Sequence, residues 1–133
     1  MKCLVLMVLL AVGSQAFFTE EQHEAAKKLT VACQTEIGEG LPDNVGDRFR
    51  AGDLTLTDDK SKCFMKCVFV KVGFIDDAGT VNKEVLMKKL SLGNGQTKSA
   101  TFAEKCNSFE GANGCEKAHG LFECYWNNKA IFA

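Results

Sequence analysis

Proline is nearly missing from this chain: Pro42 is the single one in 133 residues. Helix interiors are therefore free of their strongest breaker. Runs that alternate apolar and polar residues are also missing, and the Asn94-Gly95 pair lies in helix-like sequence and not between two β-branched runs, so strand signals are sparse. There is no repeat, low-complexity tract or linker. No Asn-x-Ser/Thr acceptor occurs, so N-glycosylation is not expected. Charge of one sign is not in excess: 16 Lys plus Arg face 17 Asp plus Glu, interleaved along the chain. Without a basic stripe, nucleic acid is excluded as a partner, and without a basic amphipathic face so is membrane-surface binding.

Catalytic signatures are missing too. There is no Gly-x-Ser-x-Gly, no His-Glu-x-x-His and no glycine-rich phosphate loop. Asp58-Asp59 reads as helix capping. Asp76-Asp77-Ala78-Gly79 puts Ala78 where a calcium loop needs an oxygen ligand. A secreted phospholipase would need a His-Asp pair, whereas Gly120 follows His119. No enzyme and no cofactor is expected.

The one long apolar run lies at the start. Met1 and Lys2 precede apolar residues from Cys3 to Val12, then Gly13, Ser14, Gln15 and Ala16. This is the pattern of a secretory signal peptide, and the run is shorter than the roughly 20 residues that span a bilayer. Residues 1–16 are expected to be removed, leaving residues 17–133 as one domain with no membrane insertion. Cys3 leaves with the leader, so the 7 cysteines become an even 6. In an oxidising compartment, disulfides are the default state of those six.

What remains is helical in period. Thr19 and Gln22 have the spacing of a capping box, and Ala25, Ala26, Leu29, Cys33 and Ile37 then recur at helical steps until Gly38. A short helix is predicted near 43–49. A third opens at Thr57-Asp58-Asp59 and stops at Gly73. A fourth, capped by Thr80 or Asn82, carries Val81, Val85, Leu86 and Leu90 on one face and breaks at Gly93 and Gly95. A fifth starts at Thr97 or Ser99 and carries Phe102, Cys106 and Phe109. The last spans about 115–127, before a tail ending in Ile131 and Phe132.

The six cysteines are Cys33, Cys63, Cys67, Cys106, Cys115 and Cys124, separated by 29, 3, 38, 8 and 8 residues. Cys63 and Cys67 leave one helix face a turn apart and do not readily pair with each other, so each can tie that face to a different neighbour. A zinc site is disfavoured by the three-residue gap, the lack of a second close pair and the oxidising destination. Spacing alone leaves 15 pairings open.

This spacing resembles that of the insect odorant-binding and pheromone-binding proteins, from Thr19 to about Trp126. The resemblance implies Cys33–Cys67, Cys63–Cys115 and Cys106–Cys124, in an all-α, six-helix disulfide-stapled domain around an internal apolar pocket. It further implies a secreted carrier of small apolar ligands, with an odorant receptor pathway as the downstream partner. Between monomer and weak homodimer the sequence does not choose.

The residues expected to line the pocket are Phe69 and Val72 on the third helix and Phe74 and Ile75 after it. Leu86 and Leu90 join from the fourth, Ala118, Phe122 and Trp126 from the last, and Phe132 from the tail. Each could equally be plain core, since apolar faces are buried anyway. The Ala133 carboxylate is a candidate to bond a Tyr, Arg or His and release on acidification. His23 and His119 are candidates to sense that change, against the ordinary reading of each as a surface histidine. An empty pocket of ~300 Å³ would forgo several kcal/mol of packing, which three disulfides are of the right size to offset. The rival readings are a carrier working outside olfaction and a solid-core secreted structural or signalling protein.

Overall fold

A computed structural model of the protein describes residues 20–132. The leader, the Thr19 cap and the Ala133 carboxylate lie outside the described residues. Six α-helices follow in order: α1 Glu20–Ile37, α2 Val45–Arg50, α3 Asp59–Val72, α4 Lys83–Asn94, α5 Gln96–Lys105 and α6 Gly114–Asn127. A 3-10 turn, Lys129–Phe132, ends the chain's described part. Among the described residues the only β pairing is one antiparallel bridge, Ile75 to Val81. No described helix is long and apolar enough to cross a membrane.

The boundaries follow local chemistry. Asp58 caps α3, its carboxylate accepting from the Ser61 amide at 3.0 Å and the Ser61 hydroxyl at 2.6 Å. Burial works to raise the Asp58 pKa, but those two bonds outweigh it and hold the group below its ordinary value. Gly73 ends α3 at φ 91°, a left-handed conformation suited to glycine. The Phe74 amide then reaches back to the Phe69 carbonyl at 2.9 Å, which turns Phe74 inward. Asn82 caps α4 through the Val85 amide, and Asn113 caps α6 through that of Glu116.

Two helices depart from the sequence reading. Helix α4 runs through Gly93 to Asn94, and only Gly95 breaks it. Helix α5 starts at Gln96 and stops at Lys105, leaving Cys106 as its cap and Phe109 in the loop beyond. There the Asn107 side chain satisfies the Glu104 carbonyl, one of the orphan acceptors of the last turn. Phe109 still packs inward, against the backbone of Gly120, where an added Cβ would lie 3.0 Å from its ring.

Three disulfides tie the helices. Cys33–Cys67 joins α1 to α3, Cys63–Cys115 joins α3 to the start of α6, and Cys106–Cys124 joins the end of α5 to α6. Helices α3 and α6 form the central pair, α4 packs on α5, and α1 lies along α3. The side chain of Gln22 also donates to the Lys89 carbonyl at 2.8 Å, which sets the start of α1 against α4. Phe64, Met65, Phe102, Leu121 and Phe122 are fully buried at the centre.

Candidate functional site

Between α1, α2, α6 and the α4–α5 pair the helices leave a cavity of about 90 Å³. Its walls are built from helical faces. Phe69 and Phe74 come from the end of α3 and its cap, Leu86 and Leu90 from α4, and Phe102 from α5. Leu121, Phe122, Tyr125 and Trp126 come from α6, at the one-, three- and four-residue steps of a single helical face. Phe49 and Arg50 close it from α2, and His23 and Ala26 from α1. The aromatic rings pack on one another: Phe122 stacks on Phe49 at 5.1 Å and meets Trp126 edge-on at 6.5 Å.

His23, Ala26, Arg50 and Trp126 are half-buried, and they mark the mouth. Polar groups are few. The Arg50 guanidinium donates to Thr30 Oγ1 at 2.7 Å, and Thr30 is only 1% exposed. Its other nitrogen pairs with Asp47, whose side chain is largely in solvent. Burial pushes the Tyr125 phenol pKa up, so this hydroxyl stays protonated at any physiological pH and can donate. Among the described residues, no acidic one lines the cavity. The Lys129 ammonium sits 5.6 Å from the Trp126 ring, pinning its outer face.

Of the residues singled out from sequence, Phe69, Phe74, Leu86, Leu90, Phe122 and Trp126 lie together around this space. Val72, Ile75, Ala118 and Phe132 do not line it. Ala118 is fully buried in the core, and Ile75 is held in the bridge to Val81. Phe132 stands one layer out, its ring 5.5 Å from that of Phe102. Phe49, Arg50, Phe102, Leu121 and Tyr125 were not among the residues expected, nor were His23 and Ala26 as lining. Helical spacing already carried a signal for Leu121 and Tyr125, which flank Phe122 on its own face. His119 departs from the surface reading: it is 9% exposed, and its Nδ1 lies 3.0 Å from Glu123. Its Nε2 is buried with no hydrogen-bond partner among the described residues.

The cavity is well short of the ~300 Å³ pocket considered above, because seven aromatic rings crowd one small space. An engineered apolar cavity of about 150 Å³ admits benzene, so anything larger than a few heavy atoms must displace side chains here or protrude through the mouth.

Gly52, just past α2, fixes one wall. At φ +79° it lies so close to Trp126 that an added Cβ would fall 2.5–2.7 Å from indole atoms. Gly52→Ala is expected to cost more than about 1 kcal/mol and to push the indole out of place. Trp126 is the only tryptophan, so its emission reports the shift directly. An unchanged spectrum and unfolding midpoint would contradict the packing described.

Comparisons with known proteins place this geometry. Residues 15–128 match the PBP/GOBP family. General odorant-binding protein 56a of Drosophila melanogaster is 33% identical over 120 residues, which is 90% of this chain and 84% of that protein. A fatty acid binding protein, OBP56a from the oral disk of the blowfly Phormia regina, superposes with a TM-score of 0.69 at 29% identity, covering 85% of this chain and 96% of that one. Odorant-binding protein 28a of Drosophila melanogaster shares the fold, with a TM-score of 0.71 at 17% identity and coverage of 86% and 98%. The chain belongs to the PBP/GOBP family, the insect odorant-binding proteins.

Proposed function

We propose that this protein is a secreted, non-catalytic carrier that takes small hydrophobic molecules into the cavity between α1, α2, α4, α5 and α6. The observation that supports it is the lining: aromatic and aliphatic side chains from all six described helices converge there, with a few polar groups among them. An apolar ligand that loses ~300 Å² of surface to water gains about 7 kcal/mol before association costs. Micromolar is then the tightest affinity this burial supports, which suits a carrier that must also release. The leader at residues 1–16 would deliver the protein outside the cell, and its cargo would pass to chemosensory receptors. The blowfly relative is named as a fatty acid binding protein from an oral disk. A mouthpart or other non-antennal setting is therefore a concrete second reading, and transcript location separates the two.

A fluorescent apolar probe tests the carrier reading. The expected result is uptake with micromolar Kd and displacement by long-chain alcohols. A protein with native disulfides and helix content that takes up no probe would be a solid domain, and the carrier reading would fall.

A further inference from the structure

We infer that Arg50 sets the ligand class: the cavity takes an apolar monocarboxylate, with its head group at the Arg50 guanidinium and its chain among the rings. This rests on the carrier reading and adds to it a residue and a charge. The lining is apolar almost throughout, yet at the mouth it includes a permanent cation and, among the described residues, no acidic side chain. A half-buried guanidinium at an apolar cavity is costly unless it meets an acceptor, and a carboxylate is the acceptor that its planar donors fit best.

The guanidinium is held in place before any ligand arrives. Thr30 is buried, accepts from Arg50 Nη1 at 2.7 Å and is itself fixed by donating to the Lys27 carbonyl at 2.8 Å. Gly46 backs the same spot, since an added Cβ there would lie 3.3 Å from Thr30 and 3.4 Å from Arg50 Nη1. The other partner, Asp47, does not cancel the charge from the ligand's side. Its side chain is 75% exposed and that of Arg50 only 23%, so the carboxylate faces water, where the pair is screened. Five N–H donors leave the guanidinium with capacity beyond these two bonds. His23 and the Tyr125 hydroxyl, which burial keeps protonated, are further polar groups around the same space.

The inference separates Arg50 from the chain's other arginine. Arg48 is bound to Asp53 at 2.7 Å and does not line the cavity. Sequence alone treats the two alike, both being basic residues at the end of a short helix.

The test is competition against a bound fluorescent apolar probe near neutral pH, using dodecanoate, dodecanol and methyl dodecanoate on the disulfide-intact protein. Dodecanoate is expected to bind about tenfold more tightly than the alcohol or the ester. Arg50→Gln is expected to bring that ratio close to one, and Arg50→Lys to retain part of it. If none of the three displaces the probe, the carrier reading itself fails. If all three displace it equally from the native protein, the carrier reading stands and the role of Arg50 is overturned. A preference for acid that survives intact in a folded Arg50→Gln protein overturns it as well. A second measurement needs no substitution. Arg48 and Arg50 are the only arginines, so nitrogen-15 arginine labelling gives two Nε–H signals. One should shift with dodecanoate and not with dodecanol; two unmoved signals would refute the assignment.

Discussion

Replacing Cys63 and Cys115 together by serine is expected to lower stability by about 4 kcal/mol, the largest loss among the three bridges. This bridge closes 52 residues, against 34 for Cys33–Cys67 and 18 for Cys106–Cys124. Chain entropy scales with the logarithm of loop length, so the other two pairs should cost slightly less, with Cys106–Cys124 nearest 3 kcal/mol. Position adds to the ranking. Cys63–Cys115 fastens α3 to the first turn of α6, and those two helices form the central pair. Around it, the Lys62 ammonium meets the Glu116 carboxylate at 3.1 Å, a pair that the bridge holds in register. Urea unfolding of the three paired variants, with the other bridges oxidised, measures the series. Equal losses, or a smaller loss for Cys63–Cys115, would show that native-state strain and not loop closure decides. Probe binding should fall with the fold, since α6 carries four of the residues that line the cavity.

The cavity alone does not call for three bridges. At roughly 24 cal/mol per Å³, a void of this size forgoes about 2 kcal/mol, which one disulfide can offset. The bridges are better understood as fixing where α1, α3, α5 and α6 stand, so that faces from separate helices meet at one point.

How much of this could be read in advance depends on the range of the determining contact. Helix starts and stops are local, and Asp58, Gly73 and Asn82 gave them away through side chains that bond amides within three residues or through a left-handed turn. Phe69, Leu86, Leu90, Phe122 and Trp126 were legible for a related reason: each lies on the apolar face of a long helix, and that face has nowhere to go but inward. Arg50 and Phe49 were not. They sit on a six-residue helix too short to show a period, and their place is set by how α2 folds back on α1 through Thr30, twenty residues away. Ala118 and Ile75 were expected at the ligand because their faces are apolar, but apolarity does not say in which layer of the interior a side chain ends. Nor does composition fix the volume left over. Ten phenylalanines supply a greasy interior, but their rings fill most of it by packing on one another, stacked or edge-on.

That crowding leads to the other large effect. Phe122→Ala is expected to cost about 3–5 kcal/mol in urea unfolding and, at the same time, to widen what the protein can carry. Phe122 is 1% exposed and touches the space directly, between Phe49 and Trp126, so deleting its ring adds volume to an existing cavity. A ligand that fills the new volume returns part of the lost packing. By linkage, a bulky apolar ligand should then raise the Tm of the variant by more than it raises that of the native protein. Phe64→Ala supplies the contrast. Phe64 is equally buried and meets the same Phe49 ring at 5.7 Å, but it does not line the cavity. Its loss should cost a similar amount of stability and leave an isolated void that no ligand reaches. Two variants equally destabilised, of which only Phe122→Ala is rescued by a bulky ligand, would locate the binding space by its energetics. If ligand rescued both alike, or neither, the ligand would have to bind elsewhere, and the space around Phe122 would be no more than a packing defect.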